Sequence, residues 1–149
     1  MNVKHKKFLC GLLSLITVAV ALALCVGHLW GRKPQTVFEQ NRDTLETVVQ
    51  QYLDQGTVAY PPMDGVTTVN LWTGENTILE FMTSSCRIAS ASQYCGFYYS
   101  VNGVPAAFQG VEVKLEQQED GWWEWLGSGD NGGRTKQLDG NWYVFEAHF

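Results

Sequence analysis

The chain has 149 residues, room for one domain of ordinary size beside a short terminal segment. Its charge is lopsided: Lys4, Lys6, Lys7, Arg32 and Lys33 precede Pro34, whereas all fifteen Asp and Glu follow it with five basic residues, a formal −10 for that part. A field of that sign repels phosphate backbones and excludes nucleic acid as a partner.

In chain order, the basic flank is followed by an uncharged run over residues 8–30, FLCGLLSLITVAVALALCVGHLW, closed by Gly31, Arg32 and Lys33. As a helix this run rises roughly 34 Å, against about 30 Å for the hydrocarbon core of a bilayer, and it predicts a single transmembrane signal-anchor within residues 1–33. Three lysines and the α-amino group before the run, against Arg32 and Lys33 after it, set the amino terminus in the cytoplasm. The expected location is the cell membrane, single-pass, with residues 34–149 as an extracytoplasmic domain whose acidity keeps it off anionic headgroups. A competing reading is a signal peptide cleaved at Ala21-Leu22-Ala23, although apolar sequence continues beyond that site.

Pro34 starts a new element. Val37, Phe38, Leu45, Val48, Val49, Tyr52 and Leu53 recur at the spacing of one helix face, and Gly56 is a left-handed cap ahead of the YPPMDG stretch over 60–65. Beyond Gly65, β-branched and aromatic runs alternate with turn dipeptides, at 66–72, 77–83, 93–101, 111–117, 122–126 and two more about Asp139-Gly140, a hairpin signal because a two-residue reverse turn requires positive φ. The expected fold class is α+β: a transmembrane helix, then one amphipathic helix packed on a curled antiparallel sheet of about six strands.

Period-2 alternation separates the faces. In the last strand Tyr143, Phe145, Ala147 and Phe149 are expected on the helix-covered core side, with Trp142, Val144, Glu146 and His148 opposite. Val111, Val113 and Leu115 are expected inward. In the tryptophan-rich strand, Trp123 and Trp125 share one face while Trp122, Glu124 and Leu126 share the other, so an indole must leave the main core. The face opposite the helix would then gather Trp72, Glu80, Tyr98, Glu112, Glu116, Trp122, Glu124, Trp142, Glu146 and His148. Aromatic rings supply flat apolar area and carboxylates take hydroxyl or ammonium donors, so such a face could stack a glycan or hold a cationic peptide; the plainer alternative is a set of solvated cross-strand pairs. Trp72, Tyr98, Trp122, Glu124, Trp142, Glu146 and His148 are the candidate binding residues.

No catalytic set stands out. His148 is the one histidine after Pro34, so neither a histidine-based triad nor a multi-histidine metal site can be assembled, and no metal or other cofactor is implied. Glu124 and Glu146 could pair as in glycoside hydrolysis, but among fifteen acids some pair always fits. GSGDNGG over 127–133 lacks the lysine of a phosphate cradle and the terminal glutamate of a calcium loop, and is expected as a wide mobile loop. Cys86 and Cys95 bracket SSCRIASASQYC and are a candidate disulfide in an extracytoplasmic domain, worth roughly 2.5 to 3 kcal/mol in the chain-entropy account; two strand cysteines can equally point to opposite faces.

GFYYS (96–100), GWWEW (121–125), GDNGG (129–133) and NWYVFEAHF (141–149) resemble a family of small single-pass membrane-anchored proteins of Gram-positive bacteria that has no assigned activity. The resemblance implies the same location and α+β domain, and it brings no catalytic residue. A helix followed by a curled sheet also looks like the cystatin-like and NTF2-like architectures, which host both enzymes and binding modules. The leading expectation is therefore a tethered binding domain for an envelope protein, peptide or glycan. The alternatives are a small NTF2-like enzyme with an acid/His pocket and a structural subunit of an envelope complex.

Overall fold

The computed structural model describes residues 32–88 and 91–149. Helix α1 (Pro34–Gln55) starts on a proline, whose missing N–H is unneeded in the first turn, and ends where Gly56 takes φ 68° and returns its N–H to Tyr52 O at 2.8 Å. Its buried stripe is Val37, Phe38, Leu45, Val48 and Val49, whereas Leu53 lies past the edge of the sheet-facing side and is exposed.

Seven strands form one antiparallel sheet: β1 (Thr68–Trp72), β2 (Ile78–Ile88), β3 (Ala91–Ser100), β4 (Glu116–Gln117), β5 (Trp122–Leu126), β6 (Gly132–Asp139) and β7 (Trp142–His148), in the order β1-β2-β3-β7-β6-β5-β4. The last strand thus enters the middle, between β3 and β6. The β6–β7 hairpin turns at Gly140 and Asn141, one residue later than the Asp139-Gly140 pair expected, since Asp139 still pairs with Trp142; Gly140 takes φ 50°, and the register shifts between Gln137 and Asp139.

Two hydrophobic layers result, one on each face of the sheet. Under α1, Phe38, Phe81, Phe97 and Trp142 meet with ring centroids 5.2–6.2 Å apart. On the other face Ile78, Met82, Tyr98, Trp125, Tyr143, Phe145 and Ala147 are covered by a strap, residues 101–115, through Ala106, Ala107 and Phe108. Side chains of the sheet hold the strap by its backbone. Tyr98 Oη accepts the Ala106 N–H at 2.8 Å, Tyr143 Oη donates to Gly103 O at 2.8 Å, and Glu80 accepts the Gln109 N–H at 3.0 Å.

Several expectations need correction. The sheet has seven strands rather than about six, and among the described residues no helix is long and apolar enough to cross a membrane; the transmembrane segment expected at residues 8–30 lies outside them. The faces of β7 are exchanged: Trp142 packs under α1, with Val144 buried on that same face, and the strap covers Tyr143, Phe145 and Ala147. Alternation separates two faces but does not say which one the helix takes, and a central strand is apolar on both. The run 111–117 pairs only at Glu116 and Gln117, leaving Val111 and Val113 exposed. The glycine-rich loop is shorter than expected, since Gly132 and Gly133 already belong to β6.

Candidate functional site

Helix α1 packs on β2 and β3 and covers the start of β7, leaving the β5, β6 and later β7 part of that same face open. Cross-strand register sets what stands there: Glu124 opposite Arg134, Arg134 opposite Glu146, Trp122 opposite Lys136, and His148 opposite Gly132. Glu124, Trp125, Leu126, Gly133, Arg134, Glu146 and His148 line a shallow depression of about 200 Å³.

Arg134 organises it. The guanidinium lies 4.4 Å from the ring centroid of the half-buried Trp122 and turns both Nε and Nη2 onto Glu146 Oε2, at 2.8 and 2.7 Å. Lys136 Nζ lies 5.9 Å from the same ring and donates to Asp120 O at 2.8 Å. Because Arg134 turns to Glu146, Glu124 stays exposed with no ion pair among the described residues. The His148 ring lies over Gly132, where an added Cβ would stand 3.3 Å from its Cε1 and Nε2. The result is a free carboxylate beside the exposed Leu126, an indole whose stacking face already carries a cation, and an exposed imidazole.

Four of the seven expected binding residues, Trp122, Glu124, Glu146 and His148, therefore come together, on the helix side of the sheet rather than opposite it. The other three are consumed by structure. Trp142 lies under α1 and donates from Nε1 to Glu46 Oε1 at 2.9 Å. Tyr98 is buried against the strap and 2.9 Å from Thr135 Oγ1, and burial pushes its hydroxyl well above the usual tyrosine range. Trp72 is half-buried on the strap side and points Nε1 at Glu80 Oε1, 3.3 Å away. Glu112 is exposed on the strap, and Glu116 is exposed in β4 directly opposite Glu124, its own carboxylate held by Lys114 Nζ at 2.8 Å.

Glu80 was expected on an open surface and is instead fully buried. Asn70 Nδ2, Trp72 Nε1 and the Gln109 N–H all donate to it, at 3.2, 3.3 and 3.0 Å. Burial outweighs those three donors and raises its carboxyl above the ordinary range. Its work is to hold the strap at Gln109, which sits at φ 59°.

Cys95 carries a half-buried free thiol whose pKa is raised, first by burial and then by the Glu146 charge. Cys95 pairs with Ser84 and Cys86 with Gln93, so the two cysteines stand two rungs apart on the ladder, with the Ser85–Tyr94 pair between them. That diagonal is about 7–8 Å in an antiparallel ladder, longer than the usual Cα separation of a disulfide. Glu124 and Glu146 stand on either side of β6 with Arg134 as their shared cross-strand neighbour, and Glu146 is already ion-paired to it.

Sequence reasoning missed Arg134 and Lys136. Their place follows only from the one-residue shift at the Gln137/Asp139 bulge, which sets Arg134 opposite Glu146 instead of Ala147. Compared with models of protein families, with curated proteins and with solved structures, the chain matches none.

Proposed function

We propose that the domain is a non-enzymatic binding module that takes a basic side chain of an extended peptide at Glu124, on the open face of β5–β7. The observation that carries this reading is the ion-pair pattern. Arg134 is committed to Glu146 and stacked on Trp122, so Glu124 is left as an unneutralised carboxylate beside the exposed Leu126 and His148. A lysine or arginine seated there gains a charge-assisted hydrogen bond, and its methylene stem gains apolar contact with Leu126.

The alternative of an acid/His enzyme has less support. Clefts that enclose a small substrate typically run to roughly 300–1,000 Å³ and are largely walled, whereas this depression holds about 200 Å³ and its Glu124, Leu126 and His148 are exposed. Calorimetric titration with lysine- and arginine-containing peptides and with neutral oligosaccharides tests the proposal. Glu124→Gln should weaken peptide binding about tenfold, the equivalent of roughly 1.4 kcal/mol for a lost charge-assisted bond. Unchanged peptide affinity in that variant would refute the assignment, and binding of neutral glycans alone would replace the peptide as ligand.

A further inference from the structure

The segment VEVKL at residues 111–115 has the composition of a strand and is not used as one. The ladder with β5 begins only at Glu116, opposite Glu124. Val111 is 56% exposed and Val113 37% exposed, whereas among the described residues most other valines are buried or packed against a core. Glu112 has no ion pair among the described residues, and Lys114 reaches only along its own chain to Glu116, 2.8 Å away, with both side chains mostly in solvent. Such a pair is worth little and is easily exchanged.

We infer that this segment is a self-association edge, pairing antiparallel with the same segment of a second copy of this chain about a two-fold axis at Val113. The sequence is complementary to itself in that register. Val113 faces Val113, Val111 faces Leu115 on the same side, and Glu112 faces Lys114 twice on the other. Opposite charges and apolar residues directly across an antiparallel pair both stabilise it, and a two-fold contact uses each pairing twice. Strand edges are usually guarded by charges that repel another edge. Here the two charges flanking the axis have opposite sign, so antiparallel pairing brings unlike charges together while a parallel pairing would oppose like ones. The general repulsion between two acidic domains is screened beyond roughly 8 Å at physiological salt. Five residues from each copy make a small interface, so the dimer is weak and concentration-dependent.

Charge reversal tests the register directly. Sedimentation velocity of the full chain over a concentration series, at about 0.15 M ionic strength, should show a monomer–dimer equilibrium. Glu112→Lys alone and Lys114→Glu alone each put like charges opposite one another and should remove the dimer. The double variant E112K/K114E restores unlike pairs and should restore it. In a mixture of isotopically light and heavy chains, amine-to-carboxyl cross-linking should join Lys114 of one copy to Glu112 of the other. A chain that stays monomeric throughout overturns the inference, as does a dimer that survives the single reversals, is not regained in the double variant, or cross-links elsewhere.

Discussion

Gly133 sits beneath the ring of Trp125: a Cβ added there would stand 2.3 Å from Trp125 Cζ2 and Cη2 and 2.5 Å from Glu146 O. The carbonyl is backbone of the central strand and cannot swing aside, so Gly133→Ala must move either β7 or the indole that closes the strap-side layer. The substitution is expected to destabilise by about 3 kcal/mol, the upper range for overpacking, and a thermal melt would show it. Gly129 has nothing within 4 Å of an added Cβ and stands in the turn, so Gly129→Asn is a matched control that should shift stability little. The two glycines belong to one stretch, GSGDNGG, and nothing in that string distinguishes a turn from a socket for an indole. Trp125 and Gly133 are cross-strand partners, and that pairing becomes visible only when the register of β5 on β6 is known.

Helix α1 was legible because its signals are local: a proline at the first turn, five buried positions at helical spacing and a glycine cap. The strap was not, because its order comes from side chains of three different strands, Glu80, Tyr98 and Tyr143, two of them far away in sequence. Its composition favours a strand, and that preference is overridden where Gln109 and Gly110 take φ 59° and 65° and turn the chain off the sheet. Phe108 is the strap's apolar anchor, 5% exposed and in contact with the rings of Tyr94, Phe145 and Phe149 at 5.0–5.6 Å. Phe108→Ala should cost about 3–4 kcal/mol. Hydrogen exchange would locate the loss: amides of residues 103–110 should lose protection before those of α1, since the helix packs on the other layer. Uniform loss over both layers would mean that the strap does not open as a unit.

For the molecule as a whole, the buried acids tie stability to pH in a direction opposite to a domain held together by surface ion pairs. Glu80 has a raised pKa in the fold, so between its unfolded and folded values the native state binds the proton that the unfolded chain has released. Its contribution is therefore full below the ordinary carboxylate pKa of about 4.3 and is lost as pH rises through the folded value. Cys95 and Tyr98, also raised, act in the same sense at alkaline pH. Glu116, lowered by Lys114, acts in the opposite sense but is fully exposed, where such pairs contribute little. The wild-type urea midpoint should accordingly fall between pH 5 and pH 7.5. Self-repulsion of the acidic domain works in the same direction, so that fall alone does not identify Glu80. Glu80→Gln separates the two: it leaves the other acids untouched but removes the buried titration, and its midpoint should change less over that interval. The variant also turns an amide N–H toward either Gln109 or the Asn70 and Trp72 donors, a mismatch expected to cost about 1–3 kcal/mol at every pH. A slope as steep in the variant as in the wild type would assign the pH dependence to net charge, and Glu80 would then serve the fold only as an acceptor for the strap.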